Sequence, residues 1–266
     1  MSKRLPVDSP DAKEFVKVFQ QLAYQHDAWT VWDDFVTMTA CALSTPFGCG
    51  SRQSFDERSK LLLTTAGKYS EAEFRLFDEL TRILIDALDK NPRQDYLGRI
   101  YMSLDFGDSW RGQFFTPWNV GMMMASMTVG ERSEIPPDKG YISVSDPCCG
   151  AGCLLIAMAM AYSDYHKGGN YQQDLLFAAQ DIDRVVALMC YIQLSLLGCA
   201  GYVVIGNSLT SPLCGEDLFP VIGRGCEIWY TPLWFHPTWT LRREKRLIQL
   251  SLDAKASDEL DDREAV

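Results

Sequence analysis

The sequence predicts an α/β fold, a helical N-terminal domain followed by a parallel sheet, and three observations carry that prediction. From Tyr141 onward, short apolar runs alternate with helix-length stretches, the pattern of a parallel sheet covered on both faces. Acidic residues, glycines or an asparagine follow three successive apolar runs, at the strand ends where such sheets bind ligands. Before Tyr141 the apolar spacing is helical.

The helical part comes first. Phe15, Val18, Phe19 and Leu22 make one apolar stripe. Ser70 and Glu73 have the spacing of a capping box ahead of Leu76, Phe77, Leu80, Ile83, Leu84 and Leu88, and Pro92 stands just beyond, where a helix cannot easily continue. Thr45 to Phe55, with Pro, Gly and Ser, reads as a loop. Trp29, Trp32 and Phe35 read as core. In the second part, strands are expected at Tyr141–Val144, Leu175–Ala179, Tyr202–Ile205 and Ile228–Tyr230, with helices at Cys153–Tyr162 and Val185–Leu197. The domains are expected at 1–105 (helical), 106–240 (ligand-binding core) and 241–266 (a basic helix, then an acidic, frayed tail).

Composition narrows the function. Hydrophobic residues make up 47% and charged residues 23% of 266 positions, which excludes chain-wide disorder. The net charge of −10 gives no general attraction for nucleic acid, so work on DNA requires a basic patch or a partner. No stretch reaches the roughly 18 to 20 apolar residues of a membrane span, and Met1 to Pro10 lacks a signal-peptide core. A cytoplasmic protein without membrane contact is expected, its nine cysteines reduced. Cys148, Cys149 and Cys153 match no common zinc or iron–sulfur spacing and read as packing residues of a tight turn.

Three segments carry chemistry. Asp146-Pro147-Cys148-Cys149-Gly150-Ala151-Gly152 is a glycine turn between a strand and a helix. Glycines let backbone approach a ligand, and an acid there suits an ammonium better than a phosphate. Ala179-Gln180-Asp181-Ile182-Asp183 ends the next strand. One of its acids can accept hydrogen bonds from ribose hydroxyls while the other caps the following helix. Gly206-Asn207-Ser208-Leu209 ends the third strand, with an amide able to read an adenine edge or simply to shape a loop.

In this order the motifs resemble those of adenine-N6 DNA methyltransferases, in particular the methylation subunit of type I restriction–modification systems. Asp146 to Gly152 is similar to that family's Asp-Pro-x-Cys-Gly-x-Gly, Gln180 to Asp183 to its Gln-Glu-Ile-Asp, and Gly112-Gln113-Phe114-Phe115-Thr116-Pro117 to its Gly-Glu-Phe-Tyr-Thr-Pro. Asp95-Tyr96-Leu97-Gly98-Arg99-Ile100-Tyr101 resembles its Asp-x-Leu-Gly-x-x-Tyr. The resemblance implies a Rossmann-like S-adenosylmethionine-dependent core that transfers a methyl group to adenine N6 in DNA. It also implies roles: Phe115, Thr116 and Pro117 flank the methionine end of S-adenosyl-L-methionine, Asp146 holds its ammonium, and Gly150 and Gly152 give it room. Asp181 takes the ribose hydroxyls, Ile182 and Leu209 sandwich the adenine, and Asn207 contacts its exocyclic amine.

The chain departs from that family at the catalytic motif. Asn-Pro-Pro-aromatic, whose amide oxygen and backbone carbonyl accept the adenine amine and whose ring stacks on a flipped base, is absent. The nearest segment is Thr231-Pro232-Leu233-Trp234. Thr231, Pro232 and Trp234 are therefore the expected catalytic remnant, placed after a fourth strand at which the core stops. The expected activity is slow, and the alternative is a silent cofactor-binding pseudoenzyme acting as a structural or regulatory subunit. DNA contact is expected through the basic patch Arg242, Arg243, Lys245 and Arg246, or through a second subunit or self-association.

Overall fold

The computed structural model describes residues 9–47, 50–106, 115–129 and 134–264, with side chains of the last helix described as far as Asp253. Helices α1 (Pro10–Ala23), α2 (Ala28–Ser44), α3 (Arg52–Ala66), α4 (Glu71–Lys90), α5 (Tyr96–Ser103) and α6 (Trp118–Val129) precede the first strand. The alternating part runs β1 (Ile142–Asp146), α7 (Cys153–Tyr165), α8 (Tyr171–Asp174), β2 (Leu175–Asp181), α9 (Arg184–Leu196) and β3 (Ala200–Ile205). A hairpin of β4 (Cys214–Glu216) and β5 (Phe219–Val221) follows, then β6 (Glu227–Tyr230), a 3-10 turn at Pro232–Phe235 and α10 (Pro237–Glu264).

Local chemistry starts the helices. Ser9 accepts from the Ala12 amide with Pro10 in the first turn, Asp27 accepts from Thr30, and Ser51 from Ser54. The capping box at Ser70 and Glu73 is formed in both directions. The stripes of α1 and α4 then meet: Phe15, Phe19 and Leu22 are buried with Leu80, Ile83 and Leu84. Each such side chain stabilises the fold by about 1.5–3 kcal/mol over leaving it in water. Trp32 and Phe35 are core, whereas Trp29 is 39% exposed and only edges onto Tyr101 and Phe106.

The sheet is mostly parallel, in the order β1-β2-β3-β6. Alternation in β2 sends Phe177 and Ala179 to one face, against α7 and α9, and Leu176 and Ala178 to the other. That second face is closed by Leu218 of the hairpin loop, Trp234 of the 3-10 turn and Trp239 of α10.

Three expectations change. First, β6 runs antiparallel to β3: Tyr202 pairs with Tyr230 and Ile205 with Glu227. Its C-terminal end therefore lies at the start of β3. Second, the Thr45 to Phe55 loop is shorter than expected, because α3 begins at Arg52. Its Arg58, 3% exposed, donates to the Ile228 carbonyl at 2.6 Å and lies 3.7 Å from the Trp229 ring, so it satisfies part of the outer edge of β6. Third, the last helix starts at Pro237 and continues through the acidic segment expected to be frayed, to Glu264.

Candidate functional site

Parallel pairing brings the three motifs to one edge. Asp146 lies beside Ala179 and Asp181 beside Ile205, so the ends of β1, β2 and β3 are adjacent. The glycine turn is wired into β2. The Cys149 amide donates to the Gln180 carbonyl at 3.0 Å, and the Gly150 amide to Asp181 Oδ2 at 2.9 Å. Gly150 and Gly152 both hold positive φ, at 54° and 95°. A Cβ on Gly152 would fall 2.9 Å from Cys190 Sγ, so only glycine fits there. Gly152 also heads α7 without a side-chain cap, which leaves backbone donors at the helix start.

The electrostatics favour a cation. Burial raises the pKa of Asp146, the Cys148 amide at 3.1 Å works against that, and the nearby Asp181 charge raises it again. Among the described residues no Lys or Arg pairs with either carboxylate. Asp181 Oδ1 accepts from the Asp183 amide at 2.9 Å, and Asp183 caps α9 through the Val185 and Val186 amides. The two acids thus divide the work: Asp183 shapes the helix start and Asp181 faces the turn. Cys149 is held well above its usual pKa by hydrogen bonding to Cys190 and by burial, which makes it a packing thiol rather than a nucleophile.

The upstream motif arrives at the same place. A Cβ on Gly150 would touch the Phe115 ring at 3.4 Å, and Cys153 Sγ donates to the Thr116 carbonyl at 3.3 Å. Pro117 is exposed, and its carbonyl accepts from Val120 and Gly121 at the start of α6. Gly112, Gln113 and Phe114 lie outside the described residues. Ile182 is 67% and Leu209 91% exposed, two large apolar side chains on the loops after β2 and β3. A cleft of about 190 Å³, bounded by Asp146, Gln180, Tyr202 and Ser208, opens at the ends of β1 and β2 toward the hairpin, and neither Ile182 nor Leu209 lines it. A larger one, about 990 Å³, lies away from the motifs, and its Arg246 and Lys139 already pair with Glu216 and Asp217.

Asn207 is placed at this edge but is turned to its own loop. Its Oδ1 accepts from the Leu209 and Thr210 amides at 2.9 and 3.3 Å. The expected contact with an adenine amine needs that oxygen, so what Asn207 retains is its amide donor. Sequence reasoning also missed Gln180. It is 2% exposed, donates to the Gly206 and Ser211 carbonyls and accepts from the Leu213 amide, and so holds the loop after β3. A signal existed: a lone amide inside an apolar strand has to find partners.

The expected catalytic remnant is not at this edge. Thr231 is fully buried; its hydroxyl donates to the Cys199 carbonyl at 2.7 Å and accepts from the Gly201 amide at 3.0 Å, at the beginning of β3. Pro232 opens the 3-10 turn. Trp234 is 5% exposed, stacked on Tyr230 at 5.0 Å under the Arg243 guanidinium at 4.4 Å. The antiparallel direction of β6 is the cause, and the three residues are structural. Three of the four residues of the basic patch are engaged as well, and Lys245 is exposed. Arg242 donates to the Gln173 and Gly140 carbonyls, Arg243 to that of Trp234, and Arg246 pairs with Glu216.

Residues 93–223 match the family model described as N-6 DNA methylase. That span holds every expected cofactor residue from Phe115 to Leu209 and ends before Thr231. No curated protein matches the chain. Among the described residues, no helix is long and apolar enough to cross a membrane.

Proposed function

Because residues 93–223 match the N-6 DNA methylase family, we propose that the chain binds S-adenosylmethionine at the carboxyl edge of its sheet and serves methyl transfer to adenine N6 in DNA. The observation that carries this reading is the pair Asp146 and Asp181, two carboxylates at neighbouring strand ends with no basic partner among the described residues, beside a glycine cradle. A ligand with an ammonium at one end and a ribose diol at the other answers both acids. The fit is residue by residue. Asp146 holds the ammonium, the uncapped start of α7 faces the carboxylate, and Phe115, Thr116 and Pro117 border the methionine end. Gly150 and Gly152 leave room for the chain, Asp181 accepts from the ribose, and Ile182 and Leu209 flank the adenine, with Asn207 donating to it. When bound, S-adenosylmethionine supplies a methyl group on a sulfonium, electrophilic enough for an amine.

The position of Thr231 favours a second element in the reading. Thr231 lies away from the strand ends at which the cofactor is proposed to bind, which supports a chain that acts as the cofactor-binding subunit and is slow or silent alone. A partner polypeptide or a second copy supplies the acceptor and the grip on DNA, since Arg242, Arg243 and Arg246 are spent within the chain. Isothermal calorimetry with S-adenosylmethionine and S-adenosylhomocysteine tests the first element. Binding by the wild type, weakened in Asp146→Asn and Asp181→Ala, is the expected result; no binding by the wild type overturns it.

A further inference from the structure

Gln193 is fully buried near the end of α9, among apolar neighbours from Val185 to Leu194. A primary amide offers two donors and an acceptor, and this one uses them on two separate pieces of chain. Its Nε2 donates to Asp95 Oδ1 and to the Ala151 carbonyl, both at 2.8 Å, and its Oε1 accepts from the Leu97 amide at 3.0 Å. Asp95, 4% exposed, caps α5 by also accepting from the Gly98 amide at 2.9 Å. A Cβ on Gly98 would fall 2.1 Å from Asp95 Oδ2, so this cap requires glycine at that position. The Asp95 to Gly98 stretch, similar in the sequence to a family motif, thereby acquires a physical role: it anchors the amide that holds Ala151.

Ala151 stands between the two left-handed glycines of the cofactor turn. The turn is otherwise held at Cys148 through Asp146, at Cys149 through the Gln180 carbonyl, at Gly150 through Asp181 and at Gly152 through the Cys149 carbonyl, while the Ala151 carbonyl is held by Gln193. We infer that Gln193 is a positioning residue for the cofactor turn, and that through Asp95 it makes cofactor affinity depend on the helical segment that precedes the sheet. The cofactor part of this inference rests on the reading proposed above; the hold on the turn does not. Burial raises the pKa of Asp95, against the Gln193 and Gly98 hydrogen bonds and the Arg99 charge; the Asp95 charge reaches Cys153, and those of Asp95, Asp146 and Asp181 reach Cys190. Burial pushes Cys153 up to about 12, and Cys190 is raised as well, so both thiols stay neutral near neutral pH.

Two variants and two readouts test it. Gln193→Leu keeps the bulk and removes all three hydrogen bonds. Gln193→Glu restores one donor only when its carboxyl is protonated, and when ionised it repels Asp95 and the Ala151 carbonyl. Amide hydrogen exchange at residues 149–152 reads the turn without cofactor, and calorimetry with S-adenosylmethionine reads affinity between about pH 5 and pH 8. In both variants, exchange at the turn rises more than in β2 and β3, and affinity at the upper pH falls about tenfold or more. The ratio of Gln193→Glu to wild-type affinity recovers as pH falls, while that of Gln193→Leu does not. Unchanged exchange at 149–152, or a rise spread evenly over the sheet, overturns the positioning role. Local loosening with wild-type affinity and no pH-dependent ratio overturns the coupling to cofactor. Absence of wild-type binding overturns the cofactor reading and its coupling, leaving the hold on the turn to be decided by exchange. Should Gln193→Leu fail to fold, Gln193→Glu carries both measurements.

Discussion

The Gly150 amide donates to Asp181 Oδ2 at 2.9 Å, which ties the glycine turn after β1 to the acid at the end of β2 before any ligand is present. The other oxygen of Asp181 accepts from Asp183. A carboxylate oxygen can accept more than one hydrogen bond, so ribose hydroxyls can join these amides without displacing them. In the proposed reading the same side chain shapes the turn and recognises the ligand.

Asp181→Ala tests that double duty. Removing a hydrogen-bonded carboxylate costs about 1–3 kcal/mol, and here the loss falls on the ligand and the turn together. S-adenosylhomocysteine affinity is expected to fall about tenfold or more in calorimetry, with a lower unfolding midpoint as well. Equal affinity in variant and wild type would take Asp181 out of the site.

The ionised Asp146 carboxylate costs the fold stability. Burial, followed by the charge of Asp181, raises its folded pKa against the opposing Cys148 amide. A raised carboxyl pKa means that the folded state binds the proton more tightly than the unfolded one. The associated stability is fully present below the unfolded value near 3.8 and is lost as pH rises through the folded value. Asp146→Asn keeps an oxygen for the Cys148 amide and removes the charge. Thermal unfolding without ligand is therefore expected to show the variant above wild type at pH 7, with the gap closing in acid. The shift that S-adenosylmethionine produces in wild type should be small in the variant. A variant less stable than wild type at pH 7 contradicts the argument.

Thr231 and Trp234 should behave as core. Thr231→Asn forces a larger amide into a fully buried site and disturbs the bonds to Cys199 and Gly201, at a cost of about 1–3 kcal/mol. Trp234→Ala removes a ring packed under Arg243, at about 3–5 kcal/mol. Lower unfolding midpoints with unchanged cofactor affinity in the folded fraction are expected. A gain in adenine methylation by Thr231→Asn would restore the catalytic role that the fold removes.

Arg58 guards a sheet edge. Its guanidinium satisfies the Ile228 carbonyl and covers Trp229. Arg58→Ala leaves that carbonyl without its partner, costing about 1–3 kcal/mol, and uncovers part of the outer side of β6 to other strands. Denaturant titration should show the loss, and light scattering should show concentration-dependent association. Wild-type values in both would mean that α3 protects the edge without this side chain.

What was legible in the sequence was local. Ser70 with Glu73 announces a helix start because both capping bonds close within four residues. The Asp146 turn and the Asp181 strand end are recognisable because a strand, a glycine turn and a helix are contiguous, and parallel crossovers bring their ends to one edge. Helix α2 was harder to read. It is buried along most of its surface and so shows no one-sided stripe. Gln180 and Gln193 could be noticed as amides in apolar runs, but their partners lie 26 to 98 residues away. By itself, then, the sequence determined which segments meet at the carboxyl edge of the sheet. Only the tertiary structure decided the direction of β6, and with it the place of Thr231. A four-residue strand shows the same alternation in either direction, and the long connection from β3 permits both. The choice falls to pairing with Tyr202 and Ile205 and to the packing of Trp234 and Trp239 on the far face of the sheet.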